Sequence, residues 1–184
     1  FLIRAVFAKK ARWLFFYMRK ELLSHELCHI ASMPLQDAAY EEFFAYRLSS
    51  SWFRRYIGPC FHSQADSIIF IVPIFVLLAA GFVSALEIMN LPMPVFWAFA
   101  LAFPAFLAAR NFLRRRRVKR AVRRLRLAGV ANPFAVLFRC TADEIREISS
   151  LKGDLQAETR LLLRRKKDSD LRWKIIQARF MPES

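Results

Sequence analysis

The sequence predicts an all-α integral membrane protein built from a His-Glu-x-x-His helix pair, a two-helix transmembrane hairpin and a basic helical cytoplasmic tail. Three observations predict it. Two long runs, Ser67–Leu86 and Ile88–Ala109, carry no charged side chain, and only Glu87 separates them. The 184-residue chain is 56% apolar yet has a formal net charge of +15, a combination that suits membrane spans with basic flanks better than a soluble basic protein. The third is His25-Glu26-Leu27-Cys28-His29, set in a mostly apolar stretch with Leu22, Leu23, Ile30 and Ala31. The corresponding divisions are residues 1–66, 67–113 and 114–184.

The chain opens with aromatic, aliphatic and basic residues. Arg4, Lys9, Lys10, Arg12, Arg19 and Lys20 make residues 1–20 too charged to span a bilayer. Leu2, Val6, Trp13, Phe16 and Tyr17 offer an apolar face, with the cations reaching for headgroups. The expectation is an interfacial helix, or the end of a spanning one, that runs into the motif helix; an ordinary core helix fits equally well.

On a helix, His25 and His29 are one turn apart and share a face. Two imidazoles so placed can hold one zinc ion, with Glu26 reaching the water that attacks the substrate. The chain has only three His, so two of them in this frame arise by chance about 0.002 times. Polar groups on such an apolar helix are costly unless something satisfies them.

Pro34 stops this helix, because the residue before proline resists helical angles. A second helix is expected from Pro34–Asp37 to about Ser51, and it carries Glu41 and Glu42. A zinc site needs a third protein ligand, and a carboxylate from a following helix is a common one. Adjacent helical residues point about 100° apart, so only one of the pair faces the imidazoles. Glu42 is preferred; Glu41 and His62 are the alternatives.

His25-Glu26-Leu27-Cys28-His29 followed by Glu42-Phe43-Phe44-Ala45 resembles the gluzincins, zinc metallopeptidases whose third ligand is a Glu, and is most similar to their membrane-bound HtpX-like group. The resemblance spans about 25 residues, Leu22 to Tyr46. It implies His25, His29 and Glu42 as ligands and Glu26 as general base. Tyr46 stands where that group has an Asp, and the interval from His29 to Glu42 is shorter than in that group.

Residues 51–66 read as a connector, with Gly58-Pro59 as a turn. Trp52 and Tyr56 beside Arg54 and Arg55 suit a membrane boundary. Tyr46, Tyr56 and His62 are candidate donors to a transition-state oxyanion. Cys60 and Asp66 near His62 make an interfacial loop or, less simply, a metal ligand set.

The two uncharged runs are each long enough to cross the hydrocarbon core as a helix. The turn Asn90-Leu91-Pro92-Met93-Pro94 closes them into a hairpin. Pro73 and Pro104 lie inside the spans, and Gly81-x-x-x-Ala85, Ala98-x-x-x-Ala102 and Ala105-x-x-x-Ala109 permit close helix approach.

Arg110 and Arg114-Arg115-Arg116-Arg117 follow the second span. The positive-inside rule makes this end cytoplasmic, together with both termini and the His pair. Residues 114–184 hold 20 of the 30 Lys and Arg but 8 of the 15 Asp and Glu. Helices are expected over Arg114–Ala128, after Pro133, and in a long piece opened by the capping box Thr141-Ala142-Asp143-Glu144. Trp173, Ile175, Ile176 and Phe180 form a final apolar patch. The three cysteines, Cys28, Cys60 and Cys140, are dispersed, so a disulfide framework is not expected and a reducing compartment is.

Three functions follow. The first is a membrane-anchored zinc endopeptidase acting on membrane or membrane-proximal proteins. The second is a non-enzymatic scaffold or adaptor whose basic tail binds a partner or the anionic headgroups near Arg114–Arg126. Nucleic-acid binding is disfavoured, because no recognition motif accompanies the charge and the arginines sit where a stop-transfer flank puts them.

Overall fold

The computed structural model of the chain describes residues 12–13, 17–37, 39–61, 63–151 and 155–181. It is helical apart from a two-residue antiparallel ladder, β1 (Arg12–Trp13) with β2 (Tyr17–Met18). Residues 12–13 and 17–18 are thus strand and not part of the expected entry helix, and residues 1–11 and 14–16, Phe16 among them, lie outside the described residues.

Helix α1 (Arg19–Ser32) carries the His pair. A 3-10 turn over Met33–Leu35 holds Pro34, and Gln36 adopts a left-handed backbone with φ 50°. That reversal consumes the residues expected to start the next helix, so α2 is shorter than its sequence suggests, Glu41–Arg47. Asp37 then accepts from the amides of Ala39 (3.0 Å) and Ala142, tying the turn to the tail.

The expected connector is itself helical. Ser51 accepts a hydrogen bond from Arg54 N and caps α3 (Trp52–Ile57), and a 3-10 turn over Gly58–Cys60 follows. Ser63 likewise caps α4 (Gln64–Ala85) by accepting from Asp66 N. The link to α5 (Met93–Leu127) includes Glu87 at φ 55°. The two helices pack on each other, Pro73 and Pro104 lie within them, and each is long and apolar enough to cross a membrane. Only 11% of either apolar window is buried, so their side chains face outward: Ile68, Val72, Phe75 and Phe82 on α4, Val95, Phe99 and Phe106 on α5.

Helix α5 runs for 35 residues, about 52 Å at 1.5 Å per residue, against a hydrocarbon core about 30 Å thick. It passes residue 114 without a break, so hairpin leg and tail share one rod. Beyond the apolar stretch its buried positions fall at Val118, Ala121, Val122 and Leu125, the spacing of one helix face. Around that face pack α6 (Pro133–Leu137), α7 (Ala142–Ser150), α8 (Leu155–Ser169) and α9 (Leu171–Phe180). Cys28 of α1 and Phe43, Phe44 and Ala45 of α2 belong to the same hydrophobic core. Residues from 1–66 and from 114–184 thus share a single core, with α5 as its axis.

The expected long last helix is divided into α7, α8 and α9. Its capping box forms as expected: Thr141 Oγ1 accepts from Glu144 N, and Glu144 Oε2 from Thr141 N. Glu144 Oε1 also accepts from Trp173 Nε1 (2.7 Å) and Arg172 Nη2 (2.6 Å), which joins α7 to α9. Trp173 and Ile176 are buried, whereas Ile175 of the expected patch is exposed.

Candidate metal centre

Helix α1 presents two imidazoles on one face, as the four-residue spacing requires, and α2 lays a carboxylate across them. His25 Nε2 is 3.1 Å from His29 Nε2. The Glu42 carboxylate straddles the pair, with Oε2 3.7 Å from His25 Nε2 and Oε1 3.4 Å from His29 Nε2. In a tetrahedral zinc site with bonds of about 2.1 Å, ligand atoms lie about 3.4 Å apart. The three separations bracket that edge length. Among the described residues, His25, His29 and Glu42 are the group whose donor atoms all lie within 4.8 Å of one another. Two imidazole nitrogens and one carboxylate oxygen are also a donor set that zinc accepts.

Glu41 does not join them. It turns to the other nitrogen of His29, with Oε1 3.2 Å from Nδ1, and accepts from Ser32 Oγ at 2.6 Å. A His29 tautomer with its proton on Nδ1 donates to Glu41 and leaves Nε2 a lone-pair donor. The adjacent glutamates therefore take different positions, one toward each edge of the same ring, as their 100° offset on a helix demands.

Burial holds His25 below the ordinary imidazole value, and His29 beside it adds to the shift. Burial raises Glu42 above the usual carboxylate range; His29 opposes this, while Glu41 and Glu26 reinforce it. Neutral imidazole is the form that binds a metal. Burial also pushes the Cys28 thiol up to about 11, which suits its place in the core rather than a ligand role. Glu26 lies close enough for its charge to be felt at both His25 and Glu42.

Tyr46, one turn beyond Glu42, packs its ring edge-on against His25, centroids 4.6 Å apart. A cleft of about 590 Å³ opens beside the cluster, with Glu42 and Tyr46 on its wall and Phe53, Ile57 and Phe61 among its apolar lining. Tyr56 is engaged elsewhere. Its ring lies 4.1 Å from the Arg115 guanidinium, and its carbonyl accepts from Asn111 Nδ2 at 2.7 Å. Asp66 pairs with Arg110 at 2.7 Å, and Cys60 O accepts from Arg110 Nη2 at 2.9 Å. Neither Cys60 nor Asp66 is grouped with the imidazoles. His62 lies outside the described residues.

Sequence reasoning missed two supports. One is Glu21, which accepts from Ser49 Oγ (3.0 Å), Ser50 N (2.8 Å) and Arg54 Nη1 (2.9 Å) and clamps the start of α1 to the start of α3. Burial pushes its carboxyl up, but these hydrogen bonds outweigh burial and leave it below the usual range. Nothing local in the sequence links residues 28 or more positions apart. The other is Gly58, read as a turn signal. A Cβ there would meet ring carbons of Tyr46 at 2.5 Å, so the glycine makes room for that ring.

No family model, no curated protein and no solved structure matches the chain.

Proposed function

We propose that the chain is a membrane-anchored zinc-dependent endopeptidase that hydrolyses peptide bonds of membrane or membrane-proximal proteins. The observation that carries this is the triangle formed by His25 Nε2, His29 Nε2 and the Glu42 carboxylate, sized for one tetrahedral ion and open to a cleft. A zinc ion held there would supply Lewis-acid polarisation of the scissile carbonyl and a more acidic water. Glu26 takes the proton of the attacking water and delivers it to the leaving amine. Tyr46, which touches His25 and lines the cleft, is the donor proposed for the developing oxyanion. Glu41 holds the His29 ring in its tautomer and orientation.

Helices α4 and α5 serve as the anchor. The basic residues from Arg110 to Arg126 mark its cytoplasmic end, which puts both termini and the His pair on the cytoplasmic side. Exposed Arg116, Lys119, Arg120, Arg123 and Arg126 face anionic headgroups or solvent. Those same exposed cations favour the second reading, a scaffold or adaptor whose basic surface holds a partner or anionic lipid.

Metal analysis separates the two. The endopeptidase holds about one zinc per chain; Glu26→Gln retains it and loses peptide cleavage, and His25→Ala with His29→Ala loses the metal. Zinc content unchanged in the double variant would refute the endopeptidase reading.

A further inference from the structure

The short helix α3 precedes the first apolar helix in the chain, and it is held to α5 through its carbonyl oxygens and those of the turn that follows it. Asn111 Nδ2 donates to Tyr56 O at 2.7 Å, Arg110 Nη2 donates to Cys60 O at 2.9 Å, and Arg115 donates to Arg55 O while its guanidinium lies 4.1 Å from the Tyr56 ring. The side chains of α3 form an exposed apolar face on which Tyr56 stacks against Trp52: Trp52 is 65% exposed, Phe53 60% and Ile57 43%. Six residues with two adjacent arginines would not leave three large apolar side chains in water without a reason.

The fastening points set the depth of α3. Asn111 and Arg110 are the first residues of α5 beyond its apolar stretch, and Arg115 is about one turn further on. Asp66, at the start of α4, meets Arg110 at the same level. A helix pinned there lies at the rim of the hairpin, where aromatic side chains and arginines partition into the headgroup layer. Phe53 and Ile57 also line the cleft beside Glu42.

We infer that α3 docks on the bilayer interface, with Trp52, Phe53 and Ile57 immersed at headgroup depth, so that the cleft beside Glu42 opens at the membrane surface. This rests on the reading of α4 and α5 as an anchor and deepens it. A cleft walled at that depth takes the apolar juxtamembrane segment of another polypeptide in preference to a freely soluble peptide.

Tryptophan quenching in phosphatidylcholine–phosphatidylglycerol vesicles tests it. The full chain carries Trp13, Trp52, Trp97 and Trp173. Variant one (Trp13→Phe, Trp97→Phe) retains Trp52, variant two (Trp13→Phe, Trp52→Phe) retains Trp97, and both keep Trp173. That residue is 1% exposed within the core and provides a constant background, measured alone in the triple Phe variant. Lipids labelled near the headgroup should quench Trp52 more strongly than lipids labelled deep in the acyl chain. Trp97, on the first turns of α5, reports whether the hairpin is inserted. Quenching of Trp97 without quenching of Trp52, or stronger quenching of Trp52 by the deep label, overturns the interfacial placement and leaves the anchor standing. Absence of quenching at both sites overturns both.

Discussion

Glu41 Oε1 lies 3.2 Å from His29 Nδ1 and takes a 2.6 Å hydrogen bond from Ser32 Oγ, so the residue beside the candidate ligand Glu42 grips the far edge of the same imidazole. Carboxylates placed in this way fix the tautomer and raise the basicity of the metal-binding nitrogen, and their loss weakens metal binding by about 10–100-fold. Glu41→Ala should therefore lower zinc affinity within that range in competition with a chromophoric chelator, and Glu42→Ala should lower it further. Equal affinity of Glu41→Ala and the parent chain would remove Glu41 from the site.

Gly58 and Tyr46 form a second coupled pair. The Gly58 Cα faces the Tyr46 ring so closely that a methyl would sit 2.5 Å from Cδ1 and Cε1. The ring in turn braces His25. Overpacking of this kind costs about 1–3 kcal/mol. Gly58→Ala should lower the unfolding midpoint followed by circular dichroism in detergent. In a Tyr46→Ala background the same substitution should cost little. Equal costs in the two backgrounds would show that the ring is not what the glycine accommodates.

Acid should loosen the tail through Glu144. Burial pushes this carboxyl up, but hydrogen bonds from Trp173, Arg172 and the Thr141 amide outweigh it and hold it below the usual range. The folded chain therefore releases this proton at lower pH than the unfolded chain does. The resulting stability is fully present above the ordinary carboxylate value of 4.5 and is lost as pH falls through the folded value. Hydrogen bonds to a charged group contribute about 1.5–3 kcal/mol. Glu144→Gln should lose that amount at pH 7 and show a shallower fall in stability below pH 4.5. An unchanged acid slope would place the titration elsewhere, with Glu21 the next group to vary.

Asp66 and Arg110 join the base of the hairpin at 2.7 Å, with both side chains largely shielded from solvent. Removing one partner of such a pair strands the other charge at a cost of about 3 kcal/mol or more, whereas replacing both with apolar groups costs less. Asp66→Leu should thus be more destabilising than Asp66→Leu with Arg110→Leu in thermal unfolding of the detergent-solubilised chain. The reverse order would show that Arg110 is held chiefly by Cys60 O.

By itself the sequence determined what local pattern can carry. The uncharged runs 67–86 and 88–109 set the two long helices, Pro34 ended the motif helix, and Thr141 to Glu144 formed the capping box. The shared face of His25 and His29 follows from helix pitch alone, which is why that half of the candidate centre was legible. The unbroken run from 105 to 128, with neither Gly nor Pro, already held the continuity of α5, although the charge change at 114 suggested a boundary.

Tertiary structure decided the remainder, because it depends on which distant faces meet. Rotation of α2 about its axis, set by Phe43, Phe44 and Ala45 in the core, turns Glu42 to the Nε2 atoms and Glu41 to Nδ1. Glu21 meets Ser49, Ser50 and Arg54, and Asp37 meets Ala142, over sequence separations that no periodicity encodes. The tail packs with α1 and α2 around α5 because Val118, Ala121, Val122 and Leu125 give it one apolar face to share. That common core holds the His pair close to the rim of the hairpin.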